Sequence, residues 1–144
     1  MKQWITMLLV TFLLTTASFA SNGIAIVKQV QGDVTVKHDG EVSRISQGDE
    51  LNEGDTLITG KDSRVGVIFH DGSILSLKEN SFLKVKNFVF QPIEQKFNFK
   101  LSLKKGTALF ESGKIGTLAP ENFSLEVPAG TIGIRGTKFL VEVN

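Results

Sequence analysis

From Ile24 onward the apolar residues of this chain recur at every second position, not at every third or fourth. Ile24, Ile26 and Val30 lead into Val34 and Val36, and Val65, Val67 and Phe69 repeat the pattern. Phe97, Phe99, Leu101 and Leu103 alternate with Asn98, Lys100 and Ser102, as Phe123, Leu125 and Val127 do with Ser124 and Glu126. Such alternation predicts strands with one buried and one wet face. Ile45, Leu51, Leu57, Ile58, Ile74, Leu75, Leu77, Phe82, Leu83, Val85, Phe88 and Phe90 mark further short strands. β-branched and aromatic residues dominate, as a half-buried pleated surface favours. Turn residues punctuate the runs at Gly32-Asp33, Asp39-Gly40, Gly48-Asp49, Gly54-Asp55 and Asp71-Gly72. Asp39-Gly40 and Asp71-Gly72 suit tight hairpins, since glycine accepts positive φ without steric cost. Pro92, Pro120 and Pro128 stand where strands end or begin, where a missing N–H does no harm. No window shows an apolar stripe of helical period over three turns.

The pattern predicts an all-β fold of about ten to twelve short strands, β-roll or sandwich-like. Residues 21–144 read as one domain, because no serine- or proline-rich linker interrupts them. Residues 91–96 read as a loop dividing two halves, and no fixed-period repeat supports a regular solenoid.

The first twenty residues follow a different rule. Met1-Lys2-Gln3-Trp4 is short and positive, Ile5 to Leu14 is apolar apart from Thr6 and Thr11, and Ser18-Phe19-Ala20 puts small residues before a cut after Ala20. This is the three-part pattern of a secretory signal peptide, and its apolar stretch is shorter than the roughly 20 residues that span a bilayer. An exported product, periplasmic or secreted, is expected, with no membrane span once the leader is removed.

Charge and composition narrow the function. The chain carries 16 basic and 15 acidic residues; removing Lys2 with the leader balances them at 15 each. A protein that grips phosphates needs a positive field, so nucleic acid is a poor partner. There is no cysteine, which removes disulfides, thiolate chemistry and cysteine-ligated metal, as well as the lipid-modified cysteine of bacterial lipoproteins. His38 and His70 lie far apart without companions at ligand spacing, so neither a metal nor another cofactor is expected. There is no tyrosine, and Trp4 is the one tryptophan. The phenylalanines after the leader read as core.

Three clusters carry what chemistry there is. In Gly48-Asp49-Glu50-Leu51-Asn52-Glu53-Gly54-Asp55, two Gly-Asp pairs flank a short strand, and each aspartate can accept bonds from nearby backbone amides. Asp49, Glu50, Glu53 and Asp55 are hard oxygen donors, but they lack the alternating spacing of an EF-hand; turn scaffolding is the stronger reading. In the run from Thr59 to Ser73, a strand reaches Phe69 and turns at Asp71-Gly72. His70, Asp71 and Ser73 are the residue types of a hydrolase triad, but neighbours along a strand point to opposite faces, and the strained G-x-S-x-G nucleophile turn is missing. Gly130-Thr131-Ile132-Gly133-Ile134-Arg135-Gly136-Thr137-Lys138-Phe139 superficially resembles a phosphate cradle. The dinucleotide fingerprint needs a helix next, whereas Phe139-Leu140-Val141 announces a strand. Glycines inside strands mark bulges or close backbone approach, so Gly133 and Gly136 are expected to require glycine geometry. An enclosed Arg135 would need carboxylates or carbonyls around it, with Asp49 or Asp55 as a plausible partner.

In this order the clusters resemble the FecR-like domain family. The resemblance rests on Gly32-Asp33-Val34, Gly48-Asp49, Gly54-Asp55, Thr59-Gly60, Ser63 to Val67, Asp71-Gly72-Ser73 and Gly130 to Phe139, and it covers roughly residues 24 to 143. It implies a periplasmic β-rich domain which, in transmembrane members, helps relay ferric-siderophore status from an outer-membrane receptor to an extracytoplasmic sigma factor. This sequence shows no cytoplasmic anti-sigma segment and no full span, so sigma-factor control is not carried over. The motif residues Gly48, Asp49, Gly54, Asp55, Asp71, Gly72, Gly130, Gly133, Arg135 and Gly136 carry over as scaffold.

The expected function is a non-catalytic exported binding, adaptor or sensing domain of the bacterial cell envelope. Its partner would be an envelope protein or polymer, engaged at strand edges and turns. Two alternatives stand beside it: a small-ligand sensor built around Arg135 and linked to iron-siderophore uptake signalling, and a hydrolase using His70 or His38 with a carboxylate.

Overall fold

A computed structural model describes residues 23–134 and 137–144; the leader, Arg135 and Gly136 lie outside the described residues. The chain runs through β1 (Ala25–Gln31), β2 (Val34–His38), β3 (Glu41–Arg44), β4 (Glu50–Leu51), β5 (Thr56–Thr59), β6 (Arg64–Phe69), β7 (Ile74–Leu77), β8 (Phe82–Gln91) and β9 (Lys96–Glu111). A five-residue helix α1 (Lys114–Leu118) and a 3-10 turn (Pro120–Asn122) lead to β10 (Phe123–Val127), β11 (Gly130–Ile132) and β12 (Lys138–Val143). The fold is all-β, and its twelve strands agree with the periodicity.

The strands form one continuous sheet that folds over on itself along β9. The first part of β9 pairs with β8 and, in parallel, with β10. Its last part, from Gly106, pairs with β7 and β12. The front layer therefore runs β4-β1-β6-β7-β9-β12 and the back layer β3-β2-β5-β8-β9-β10-β11. Every pairing except β9–β10 is antiparallel. That parallel pair needs a crossover, which α1 and the 3-10 turn supply.

The switch in β9 has a local cause. Gly106 sits at φ +95, and a Cβ there would lie 2.1 Å from Ser81 Oγ and 2.4 Å from its Cα. The bend also changes the phase of the alternation. Phe99, Leu101 and Leu103 point inward before it, Ala108 and Phe110 after it. Residues 91–96 do not divide the molecule. They form the tip of the long β8–β9 hairpin, in which Phe90 pairs with Phe97 and Gln91 with Lys96.

The core lies between the layers and is threaded by phenylalanine. Phe69 and Phe110 from the front meet Phe88, Phe99 and Phe123 from the back, with ring centroids 4.5–5.7 Å apart. Phe139 on β12 joins this stack through Phe110 and Phe123. Stacked and edge-to-face rings contribute beyond the area they bury, so the aromatic column ties the two layers together.

Candidate functional site

The two Gly-Asp turns share one construction. Gly48 and Gly54 adopt positive φ of 93 and 90. Asp49 donates its N–H to the Ser46 carbonyl (3.1 Å), and its carboxylate accepts the Ser46 N–H (2.8 Å). Asp55 does the same with Asn52, at 3.1 and 2.8 Å. A glycine at the third position and a returning side chain fix each bend, and β4 is held between them.

The turns differ in what else their aspartates meet. Asp49 is exposed, whereas Asp55 is buried and its Oδ1 is hydrogen-bonded to His38 Nδ1. Asp39 Oδ2 stands 3.2 Å from the other ring nitrogen, Nε2. Bonding and charge from Asp55, then the charges of Asp39 and Glu41, hold the His38 pKa above its ordinary value of 6.5, outweighing a small opposing effect of burial. A histidine–acid pair therefore exists at His38, one of the two histidines the hydrolase alternative named, and it is built from Asp55, seventeen residues away. Both imidazole nitrogens face carboxylates, and neither is bonded to a hydroxyl. His70 lies elsewhere, exposed in the β6–β7 loop.

Within that loop, Phe69 and Ser73 close a bend around His70, Asp71 and Gly72, with Gly72 at φ +86 and bonds from Gly72 N–H to the Phe69 carbonyl and from Phe69 N–H to the Ser73 carbonyl. The bend is one residue longer than the tightest hairpin, and glycine takes the left-handed position at its end. The Asp71 carboxylate is buried and accepts three bonds: Ser73 N–H at 3.0 Å, Ser73 Oγ–H at 2.7 Å and Ile115 N–H at 3.2 Å. Ser73 Oγ in turn accepts the Gly113 N–H at 2.9 Å, and the Asp71 carbonyl accepts the Lys114 N–H at 2.8 Å. Asp71 and Ser73 thus anchor the start of the β9–β10 crossover. A Cβ at Gly113 would lie 2.4 Å from Asp71 O and Ser73 N, so only glycine passes there. Gly113 carries no local signal that would have revealed this from sequence.

Thr59, Ser63 and Ser81 play the same part elsewhere. Thr59 Oγ1 donates to the Lys78 carbonyl and accepts the Ser81 N–H; Ser81 Oγ donates to Lys78 O and accepts the Thr107 N–H beside the β9 bend. Ser63 Oγ accepts the Asp33 N–H (2.8 Å) and donates to the Lys61 carbonyl. Among the described residues no buried side-chain nitrogen or oxygen lacks a hydrogen-bond partner. The polar motif residues spend their bonds on the fold.

The described ends of the third cluster fall in different layers: β11 in the back layer and β12 in the front. Gly130 opens β11, opposite Val127 on β10. Gly133 is not left-handed, and a Cβ there meets nothing within 4 Å. No described neighbour therefore imposes the glycine requirement expected at Gly133. Arg135 and Gly136 are outside the described residues. Asp55, offered as an arginine partner, bonds His38, and Asp49 bonds Ser46.

Beside the Ser63-to-Val67 strand, the front layer holds an open groove of about 630 Å³. Gly66 on β6 forms its floor, opposite Gln29 on β1 and Ser76 on β7. Gln31, Arg64 and Lys78 complete the polar wall. Among the described residues neither Arg64 nor Lys78 has an ion-pair partner. Glu79 also lines the groove, with its carboxylate engaged by the Asp62 N–H at 2.9 Å. Two cations (Arg64, Lys78), two carboxylates (Asp62, Glu79), two amides and a hydroxyl line the groove, a mixed polar wall that can hold a ligand rich in hydroxyl groups. No described helix is long and apolar enough to cross a membrane, and no described group of three His, Asp or Glu could hold a metal ion.

A folded-over β sheet whose buried aspartates, serines and glycines lock its turns defines the class: an all-β scaffold domain. A family model described as FecR protein matches residues 55–144, more than half of the chain, and the protein belongs to that family. The match covers the buried Asp55, the Asp71 turn and the whole of β5 to β12, and leaves out the first Gly-Asp turn. Among solved structures, one described as a cell surface anchoring domain is similar at 28% identity over 43% of this chain and 83% of its own, with a TM-score of 0.41. No curated protein matches.

Proposed function

We propose that the protein is an exported, non-catalytic binding module of the bacterial cell envelope, which engages an envelope protein or polymer through the groove on the front layer. Membership of the FecR family supports a place in the envelope. The signal-like leader supports export. The observation that carries the reading is the division of labour among polar groups. The buried ones are satisfied within the fold, while Arg64 and Lys78 stand unpaired beside an open groove.

The ligand chemistry follows from that wall. Arg64 and Lys78 offer charged donors beside the Asp62 and Glu79 carboxylates, and Gln29, Gln31 and Ser76 supply further hydrogen bonds, a set suited to a polar, hydroxyl-rich envelope polymer or protein surface. Co-sedimentation with isolated envelopes tests it. Arg64→Glu combined with Lys78→Glu is expected to abolish binding, and the binding of the unaltered protein is expected to weaken as salt rises. Undiminished binding of the doubly substituted protein would refute the assignment.

A further inference from the structure

The strand β12 closes the front layer, pairing with β9 on one side and with no other described strand. Its sequence is Lys138-Phe139-Leu140-Val141-Glu142-Val143. Lys138, Leu140 and Glu142 are exposed on the outer face, while Phe139, Val141 and Val143 turn toward the core. Those three inward residues are only half-buried, although Phe110 and Leu75 on the neighbouring strands are 1% exposed. Leu140 is 56% exposed. A hollow of about 450 Å³ opens beside them, lined by Ile132, Phe139, Leu140 and Val141 among others. Among the described residues, the core is incompletely covered along this edge.

We propose that β12 pairs with β12 of a second copy, antiparallel and centred on Leu140, joining two front layers into one sheet. The strand is self-complementary in this register. Leu140 meets the partner's Leu140, Lys138 meets the partner's Glu142, and Phe139 meets the partner's Val141, with each unlike pair formed twice. Opposite charges and aromatic–β-branched pairs are the favourable cross-strand combinations, and a two-fold interface of this kind is isologous and closed.

Symmetry separates β12 from the other edges. A two-fold axis perpendicular to a sheet keeps each side chain on its own face, so paired residues must lie an even number of positions apart in the strand. Lys138 and Glu142 satisfy this. The other charged edge, β3, carries Glu41 and Arg44, three positions apart; they face opposite sides and cannot meet across such an axis. The edge strands β4 and β11 have two and three residues, too short to template a partner.

Sedimentation of the chain produced from its full sequence tests the proposal without any envelope ligand, and so independently of the groove. Twice the monomer mass is expected. Glu142→Lys sets lysines opposite one another and is expected to give the monomer mass with an unchanged circular dichroism spectrum; within one copy Glu142 is exposed and lies opposite Thr107 in the pairing with β9. Adding Lys138→Glu to that variant restores the opposite charges, and with them the dimer. Because the chain has no cysteine, Leu140→Cys provides a readout that does not depend on charge variants folding. Mild oxidation should link it into dimers far faster than Val42→Cys on β3. A monomer mass for the unaltered protein at every concentration, a dimer undiminished by Glu142→Lys, or equal crosslinking at Leu140→Cys and Val42→Cys would overturn the proposal.

Discussion

Gly113, marked by nothing local, and Gly133, marked by its motif, behave oppositely in the fold. The first leaves no room for a methyl group against the Asp71 turn, and the second faces open space. Gly113→Ala should destabilise by about 1–3 kcal/mol, the usual cost of forcing extra atoms into a packed site. Gly133→Ala should stay within about 0.5 kcal/mol of the unaltered protein; a pair of thermal melts separates the two. His38 adds a pH dependence. Its pKa is raised in the folded state by Asp55 and Asp39, so its contribution is fully present below the unfolded value and is lost as pH rises through the folded one. The stability gap between the unaltered protein and His38→Gln should therefore be wider in mildly acidic than in mildly alkaline buffer. A gap that does not change with pH would contradict the pairing. The Gly-Asp turns were legible because a turn is written in adjacent residues. The His38–Asp55 contact joins residues seventeen apart and the Gly113 contact joins segments about forty apart, so neither leaves a local signature.

At the level of elements, alternation revealed most strands because each has one face on the core. It failed where that regularity changes. The inward positions of β9 shift phase at Gly106, so its last turn-over into the front layer, from Ala108 to Phe110, was not part of the pattern that ends at Leu103. The helix α1 has five residues, too few for a helical period to show. The 91–96 segment looked like a divider because its residues are polar, which a hairpin tip also requires. The importance of β9 as the shared strand gives a sharp expectation. Phe99 contacts four other rings across both layers, so Phe99→Ala should cost about 3–5 kcal/mol. That is a large part of the stability of an ordinary domain, and urea denaturation should show the midpoint collapse. Phe90→Ala, near the hairpin tip with one ring partner at 5.8 Å, should cost clearly less.

Across the whole molecule, the proposed recognition surface is distinct from the packed interior. Buried motif residues such as Asp55, Asp71 and Ser73 tie turns to strands, while the groove on the front layer presents Gln29, Arg64 and Lys78 to solvent from the same strands and their ends. That separation was hidden in the sequence, since Gln29, Gly66, Ser76 and Lys78 belong to three strands and their loops and come together only through register. Gly66 provides the most direct probe. Its backbone is not left-handed, and an added Cβ would meet only Gln29 Cβ at an ordinary 3.8 Å, so Gly66→Arg fills the groove without straining the strand. Binding of this variant to isolated envelopes should be lost while its melting temperature matches that of the unaltered protein. Full retention of envelope binding by the folded variant would contradict the assignment of recognition to the front layer.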